Sequence, residues 1–253
     1  MMVASDKDDR GRLDSVSLGP SAIRYIPDFI DADYADFLLR RVYACPGPKW
    51  TTLRNRRLQL WGCQYLQNAK PTGNSLVHDG SREPEVKPMI QEPLPEWLAS
   101  LGSRISDFAV KQNPNDFFNQ VLINEYLPGQ GILPHTDGPA FEPFICTVNL
   151  GGPVLLDFRD NRVPIPDEPA YSVYMRPLSL VVVADTAYTN HLHSIAERRV
   201  DTLSREKIVN WDAAGLTEEC DTGKVVKERT ETRVSLTFRR AKKVIPKKRL
   251  FRL

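Results

Sequence analysis

Cysteine is scarce in this chain. Cys45, Cys63, Cys146 and Cys220 are its four, and none forms a Cys-x-x-Cys pair. Such spacing excludes a Cys-rich zinc site and a disulfide framework, and points to a reducing compartment, cytoplasm or nucleus. Long apolar runs are also lacking: none approaches the ~18 consecutive residues of a membrane span. The first twenty residues, mostly charged and polar, have no apolar stretch of the secretory kind and read as a flexible lead-in. No internal repeat is visible. Histidine is rare as well, with His78, His135, His191 and His193 making up the four. Three of them fall in two short motifs.

What is present suits one globular domain, assigned to 21–238. The chain has 253 residues, 41% of them hydrophobic, enough to close a sizeable core. A net charge of +2 hides an asymmetry. The last fifteen residues, RRAKKVIPKKRLFRL (239–253), hold eight Lys or Arg and no acid, leaving 26 basic against 32 acidic residues before them. This basic tail reads as a solvated end, a nuclear-import signal or an electrostatic arm for phosphates.

IRYIPDFI (Ile23 to Ile30) predicts a short strand broken by Pro27. DADYADFLLRRVYA then follows helical spacing, with Tyr34, Phe37, Leu38 and Val42 on one face and Asp31 or Asp33 as the cap. A second helix is predicted from Pro95, its buried stripe formed by Trp97, Leu98, Leu101, Ile105 and Phe108. From Asn119 onward the pattern changes to short runs separated by Gly and Pro: QVLINEYL, FICTVNL, PVLLDF, YSVYM, LSLVVVA and TRVSLTFR. The fold class is therefore mainly β with flanking helices (α+β), a double-sheet jelly roll or barrel. Two stretches stand apart. Residues 50–95 include a polar, proline-bearing segment from Leu66 to Leu94 that reads as a functional lid. Residues 201–231 read as a charged insertion, partly helical.

LPHTDG (133–138) places His135 and Asp137 two apart, so both point to one face if the motif ends a strand. Two imidazoles and one carboxylate on one face of a metal, with three positions left open, are diagnostic of non-haem Fe(II) oxygenases. Structural zinc instead takes four closed protein ligands. TNHLHSI offers His191 and His193 as the third ligand, at the end of the apolar run LSLVVVA. In RVSLTFR, Arg233 and Arg239 share a face with Cα atoms ~20 Å apart. Reaching inward, their forked guanidinium groups suit a short dicarboxylate. Asn124 and Tyr126 add an amide and a phenol to one face just upstream. His78 sits in a polar loop and reads as solvated.

Asn-x-Tyr, His-x-Asp, LHSI and Arg-x5-Arg, in this order, resemble the AlkB-like Fe(II)/2-oxoglutarate dioxygenases. KWTTLRNRRLQLWG, LINEYLPGQGILPHTDGPA, AYTNHLHSI and TRVSLTFR are most similar to the sixth group of eukaryotic AlkB homologues, over the span from about Tyr25 to the C-terminus. The resemblance implies a double-stranded β-helix core with N-terminal helices and a nucleotide-recognition-like lid. His135, Asp137 and His193 would hold Fe(II), with His193 preferred to His191. Arg233 and Tyr126 would grip the distal carboxylate of 2-oxoglutarate, with Arg239 and Asn124 near the carboxylate that chelates iron. The implied reaction couples decarboxylation of 2-oxoglutarate, to succinate and CO2, to oxidation of a C–H bond by O2. On an N-methyl group it releases formaldehyde.

RNRRLQLWGCQYL (Arg54 to Leu66) supplies basic and aromatic residues suited to a base held out of its stack. Arg57, Trp61 and Tyr65 are the expected substrate contacts, the bland alternative being a surface hairpin with Trp61 in the core. One departure stands out. Several AlkB demethylases carry an acidic residue soon after His-x-Asp; here Gly138 and Pro139 follow, with Glu142 further on. The expected substrate is single-stranded or structured nucleic acid, and the chain is expected to be a monomer of nucleus and cytoplasm. The same mechanism on a protein or small molecule, or a binding protein that keeps the fold, are the alternatives. Binding that weakens steeply with salt would favour nucleic acid.

Overall fold

In chain order, β1 (Val16–Leu18) and β2 (Ile23–Ile26) lead into α1 (Ala32–Tyr43). β3 (Thr51–Leu53), β4 (Arg56–Gly62), β5 (Gln64–Tyr65) and β6 (Met89–Gln91) precede α2 (Glu96–Ala109). Next come β7 (Gln120–Tyr126), β8 (Ile132–His135), β9 (Phe144–Gly151), β10 (Val154–Asp160), β11 (Tyr171–Met175) and β12 (Leu180–Ala184), then the short α3 (Asp185–Thr189). β13 (His191–Ile195), β14 (Val200–Ser204), β15 (Lys224–Glu228), β16 (Arg233–Arg239) and β17 (Val244–Pro246) follow. This computed structural model describes residues 23–65, 86–109, 117–161, 164–217 and 223–247, and the backbone of 16–18. The rest of the lead-in, the lid segment 66–85 with His78, Cys220 and the tail from 248 lie outside the described residues.

An antiparallel eight-stranded sheet, in the order β1-β2-β12-β9-β16-β7-β4-β3, faces a four-stranded one in the order β11-β10-β13-β8. Two sheets closing on a core give the jelly roll expected from the runs of short strands. Side chains alternate across the large sheet, and its two faces serve different ends. Val121, Ile123, Cys146, Val148, Leu236 and Phe238 pack under the helices with Leu38, Val42, Leu98, Leu101 and Ile105. Leu122, Asn124, Tyr126, Thr147, Arg233, Ser235, Thr237 and Arg239 face a cavity between the sheets.

The helices follow from local rules. Asp31 caps α1, its carboxylate accepting a hydrogen bond from the Tyr34 backbone N–H at 2.8 Å. α1 buries Ala35, Leu38 and Val42 but leaves Phe37 at the surface, stacked on Tyr34, so the predicted stripe is one residue too wide. α2 begins just after Pro95 and buries Trp97, Leu98, Leu101 and Ile105 as predicted. Truncating Leu98 or Leu101 to Ala would cost about 2–5 kcal/mol.

Two expectations change. The start of the expected lid is sheet: β4 pairs with β7 along Arg57↔Glu125 to Gly62↔Gln120, and β3 is the sheet's edge. The two ends of the charged insertion form a hairpin that its sequence did not announce, β14 pairing with β15 from Val200↔Glu228 to Ser204↔Lys224. Its alternation along KVVKE shows the strand period under the charges. Buried Asp201 takes both Nε (2.6 Å) and Nη2 (2.8 Å) of Arg229, whose Nη1 donates to the Ala196 carbonyl just past β13.

Candidate active site

β8 and β13 are paired so that His135 and His193 face each other across the ladder, their ring centroids 4.3 Å apart. Gly131, entering β8, makes this approach possible, because any side chain there would collide with the Ile195 carbonyl oxygen. Asp137 lies just past the end of β8, and its Oδ2 stands 3.6 Å from His193 Nε2. Gly138 follows at φ +90°, turning the chain so that its carbonyl accepts a hydrogen bond from the Tyr188 hydroxyl at 2.5 Å. His191, the rival third ligand, leans edge-on against Tyr171, while it is His193 that lines the cavity.

The protonation states suit a metal. Burial pushes His193 down to about 4 despite the pull of Asp137, so its ring is neutral at pH 7. Burial alone would push Asp137 up, but Arg239, His193 and His135 together hold it below the usual carboxylate range. His135 Nδ1 lies 2.8 Å from the Leu133 carbonyl, which fixes one ring nitrogen by a backbone contact. Among the described residues no group of three or more His, Cys, Asp or Glu side chains stands close enough together to hold a metal ion as placed. His135, Asp137 and His193 all line the cavity, with His193 next to both of the others.

The two arginines of β16 differ. Arg239 donates from Nη1 to Asp137 Oδ1 at 2.7 Å and from Nη2 to Gln120 Oε1 at 2.5 Å, with the Phe141 ring 4.2 Å away. Its fork is occupied, and it leaves Asp137 Oδ2 facing His193. Among the described residues Arg233 has no acidic partner: Nε donates to Asn149 Oδ1 at 2.6 Å, Nη1 to Ser235 Oγ at 3.2 Å, and Nη2 lies 3.8 Å from Met175 Sδ. Burial lowers its pKa to about 10, still charged at pH 7. Tyr126 lies beside it, with the guanidinium 5.3 Å from the ring. A buried cation held by neutral partners calls for an anion. The unpartnered Asn124 Oδ1 and the cavity volume of about 300 Å³ fit a small polar ligand between Arg233 and the His–Asp cluster.

The expected substrate contacts divide. Arg57 and Trp61 do not reach the cavity, because β4 alternation turns both to the helix side. There Arg57 pairs with Glu125 at 2.6 Å and lies 4.1 Å over Trp50, while Trp61 meets Trp97 edge-on. This corrects the substrate reading of both: one is a neutralised cation, the other mostly core. Tyr65 is exposed at the surface and is not among the residues that line the cavity. Sequence reasoning missed Gln120, Asn149 and Tyr188, and took Arg56 only for a phosphate contact beside Arg57. Gln120 shares the parity of Asn124 and Tyr126, and Asn149 is a lone amide in FICTVNL, so both left a signal.

Residues 22–239 match the 2OG-Fe(II) oxygenase superfamily model. The chain belongs to that superfamily, a class of dioxygenases whose cofactors are Fe(II) and 2-oxoglutarate. It is 36% identical to the Danio rerio protein named "Probable RNA/DNA demethylase ALKBH6", covering 91% of this chain and 90% of that one. It is 24% identical to the Xenopus tropicalis "tRNA (carboxymethyluridine(34)-5-O)-methyltransferase alkbh8", across 90% of this chain but 33% of that protein. The solved structure titled "The structure of OsALKBH1" shares the fold, with TM-score 0.54 at 17% identity, covering 90% of this chain and 100% of that one. Within the superfamily, this is an AlkB-type oxygenase.

Proposed function

We propose that the chain oxidatively demethylates N-alkylated bases in single-stranded or structured nucleic acid. The observation that carries the site assignment is the pairing of a His–Asp–His cluster with a buried, acid-free arginine across one cavity. His135, Asp137 and His193 hold Fe(II), two neutral imidazoles and one carboxylate that leave positions open for co-substrate and oxygen. Arg233 and Tyr126 take the distal carboxylate of 2-oxoglutarate, and Asn124 stands beside the chelating end. Arg239 fixes Asp137 through one carboxylate oxygen, which leaves the other, facing His193, as the one that would meet the metal. Bound together, Fe(II) and 2-oxoglutarate supply, with O2, the oxidising power to turn an N-methyl into a hydroxymethyl that leaves as formaldehyde, with succinate and CO2 as co-products.

Nucleic acid as substrate is supported by the printed name of the 36% identical relative. Tyr188 lines the cavity wall and Tyr65 is exposed, aromatic surfaces suited to a displaced base. The chain acts as a monomer. The thiols of Cys45, Cys63 and Cys146 are free, which together with ferrous iron suits the reducing interior of nucleus and cytoplasm; imaging of a tagged chain tests this. The deciding experiment is a mass-spectrometric screen of methylated single-stranded and hairpin oligonucleotides with Fe(II), 2-oxoglutarate and O2. Loss of 14 Da, the mass of one CH2, from one class of oligonucleotide, absent in His135→Ala, is the expected result. Succinate formation with no change in any oligonucleotide would move the substrate to proteins or small molecules.

A further inference from the structure

Three arginines reach the cavity wall, and two have been given tasks. The third is Arg56, the first residue of β4. β4 and β7 are paired Arg57↔Glu125 and Leu58↔Asn124, so Arg56, one step before, comes level with Tyr126. Tyr126 is in turn the partner of Arg233 in β16. Arg56, Tyr126 and Arg233 therefore form one row across three neighbouring strands, all on the cavity face.

The two arginines at the ends of this row share a second property. Among the described residues Arg56 Nε is buried without a hydrogen-bond partner, and the acid closest in register, Glu125, is turned to the other face and held there by Arg57. Arg233 likewise has only neutral partners. The Tyr126 phenol feels both: burial raises its pKa, opposed first by Arg233 and then by Arg56. Two uncompensated guanidinium groups flanking one phenol are unfavourable in an empty cavity and become favourable once an anion settles there.

We infer that Arg56 is a further co-substrate-binding residue, joining Arg233 and Tyr126 on the distal carboxylate of 2-oxoglutarate. This rests on the roles proposed above for Arg233 and Tyr126, and is independent of the oxidised substrate. Arg56 supplies a second charged donor, so that the carboxylate is recognised from both ends of the row. The neighbouring Arg57 has no such part, its charge being met by Glu125.

The test uses the full chain loaded with Mn(II), without oxygen and without nucleic acid, titrated calorimetrically with 2-oxoglutarate and with oxalate. Oxalate offers the metal two oxygens and lacks the distal carboxylate. Arg56→Ala should weaken 2-oxoglutarate about tenfold, the scale of one charge-assisted hydrogen bond, and leave oxalate unchanged. Arg56→Lys should recover part of the loss. Unchanged 2-oxoglutarate affinity in Arg56→Ala, or equal weakening of both ligands, overturns the inference. Circular dichroism checks each variant's fold, and Arg56→Gln carries the same comparison if the alanine variant unfolds. Because no oligonucleotide is present, failure here and failure of the demethylation screen are separate results.

Discussion

Arg233 and Arg239 stand six residues apart on one strand, on one face, and both are buried. Arg239 has a carboxylate, Asp137, and an amide, Gln120, in its fork. Arg233 has an amide, a hydroxyl and a thioether, none of them anionic. An arginine already neutralised is a brace, and one left with neutral partners is a receptor. Side-chain type and parity are the same at both ends of β16; the partner supplied by the facing strand separates the two roles.

Substitutions can break or sharpen that contrast. Asp137→Ala strikes the brace: it removes a proposed metal ligand and strands Arg239 in a buried position, at a cost of about 3 kcal/mol or more. Loss of Mn(II) binding in calorimetry, with a clearly lower denaturation midpoint of the metal-free chain, is the expected result. Arg233→Met strikes the receptor, and the signs should differ. The metal-free chain should stay within about 1 kcal/mol of wild type, or gain, because a desolvated cation is lost. Its affinity for 2-oxoglutarate should fall about a hundredfold. Asn149→Asp would convert the receptor into a brace by giving Arg233 its own anion. The expected outcome is a higher melting temperature with about tenfold weaker 2-oxoglutarate binding. Arg57→Ala, on the helix side, should cost about 1 kcal/mol and leave 2-oxoglutarate affinity untouched. A large affinity loss there would mean that the two faces are coupled.

Much of this was legible because the motifs sit on strands whose period of two is easily counted. His135 with Asp137, Asn124 with Tyr126 and Arg233 with Arg239 each span an even number of residues, and each pair reaches one cavity. β4 shows where the reading fails. In RNRRLQLWG, charged and apolar residues occur at both parities, so spacing alone left it undecided whether Arg56 or Arg57 faced inward. Only the register with β7, set by contacts some 65 residues away, decides this. HLHSI places His191 and His193 on one parity, so the preference for His193 came from the resemblance, and the register with β8 sets His193 opposite His135. β14 and β15 were obscured by charge, because a two-stranded hairpin with little buried surface carries few apolar residues to count.

Asp137 and Arg239 belong to different walls of the cavity, one just past β8, the edge strand of the smaller sheet, the other on β16, an inner strand of the larger sheet. Their ion pair therefore acts as a tie-rod across the seam. The imidazoles hang from one wall and Arg233 from the opposite one, so the spacing between the proposed metal site and the proposed co-substrate site is a distance between sheets. A chain whose walls drift apart by an ångström would still fold, and could still hold each ligand separately, while no longer presenting them to one another.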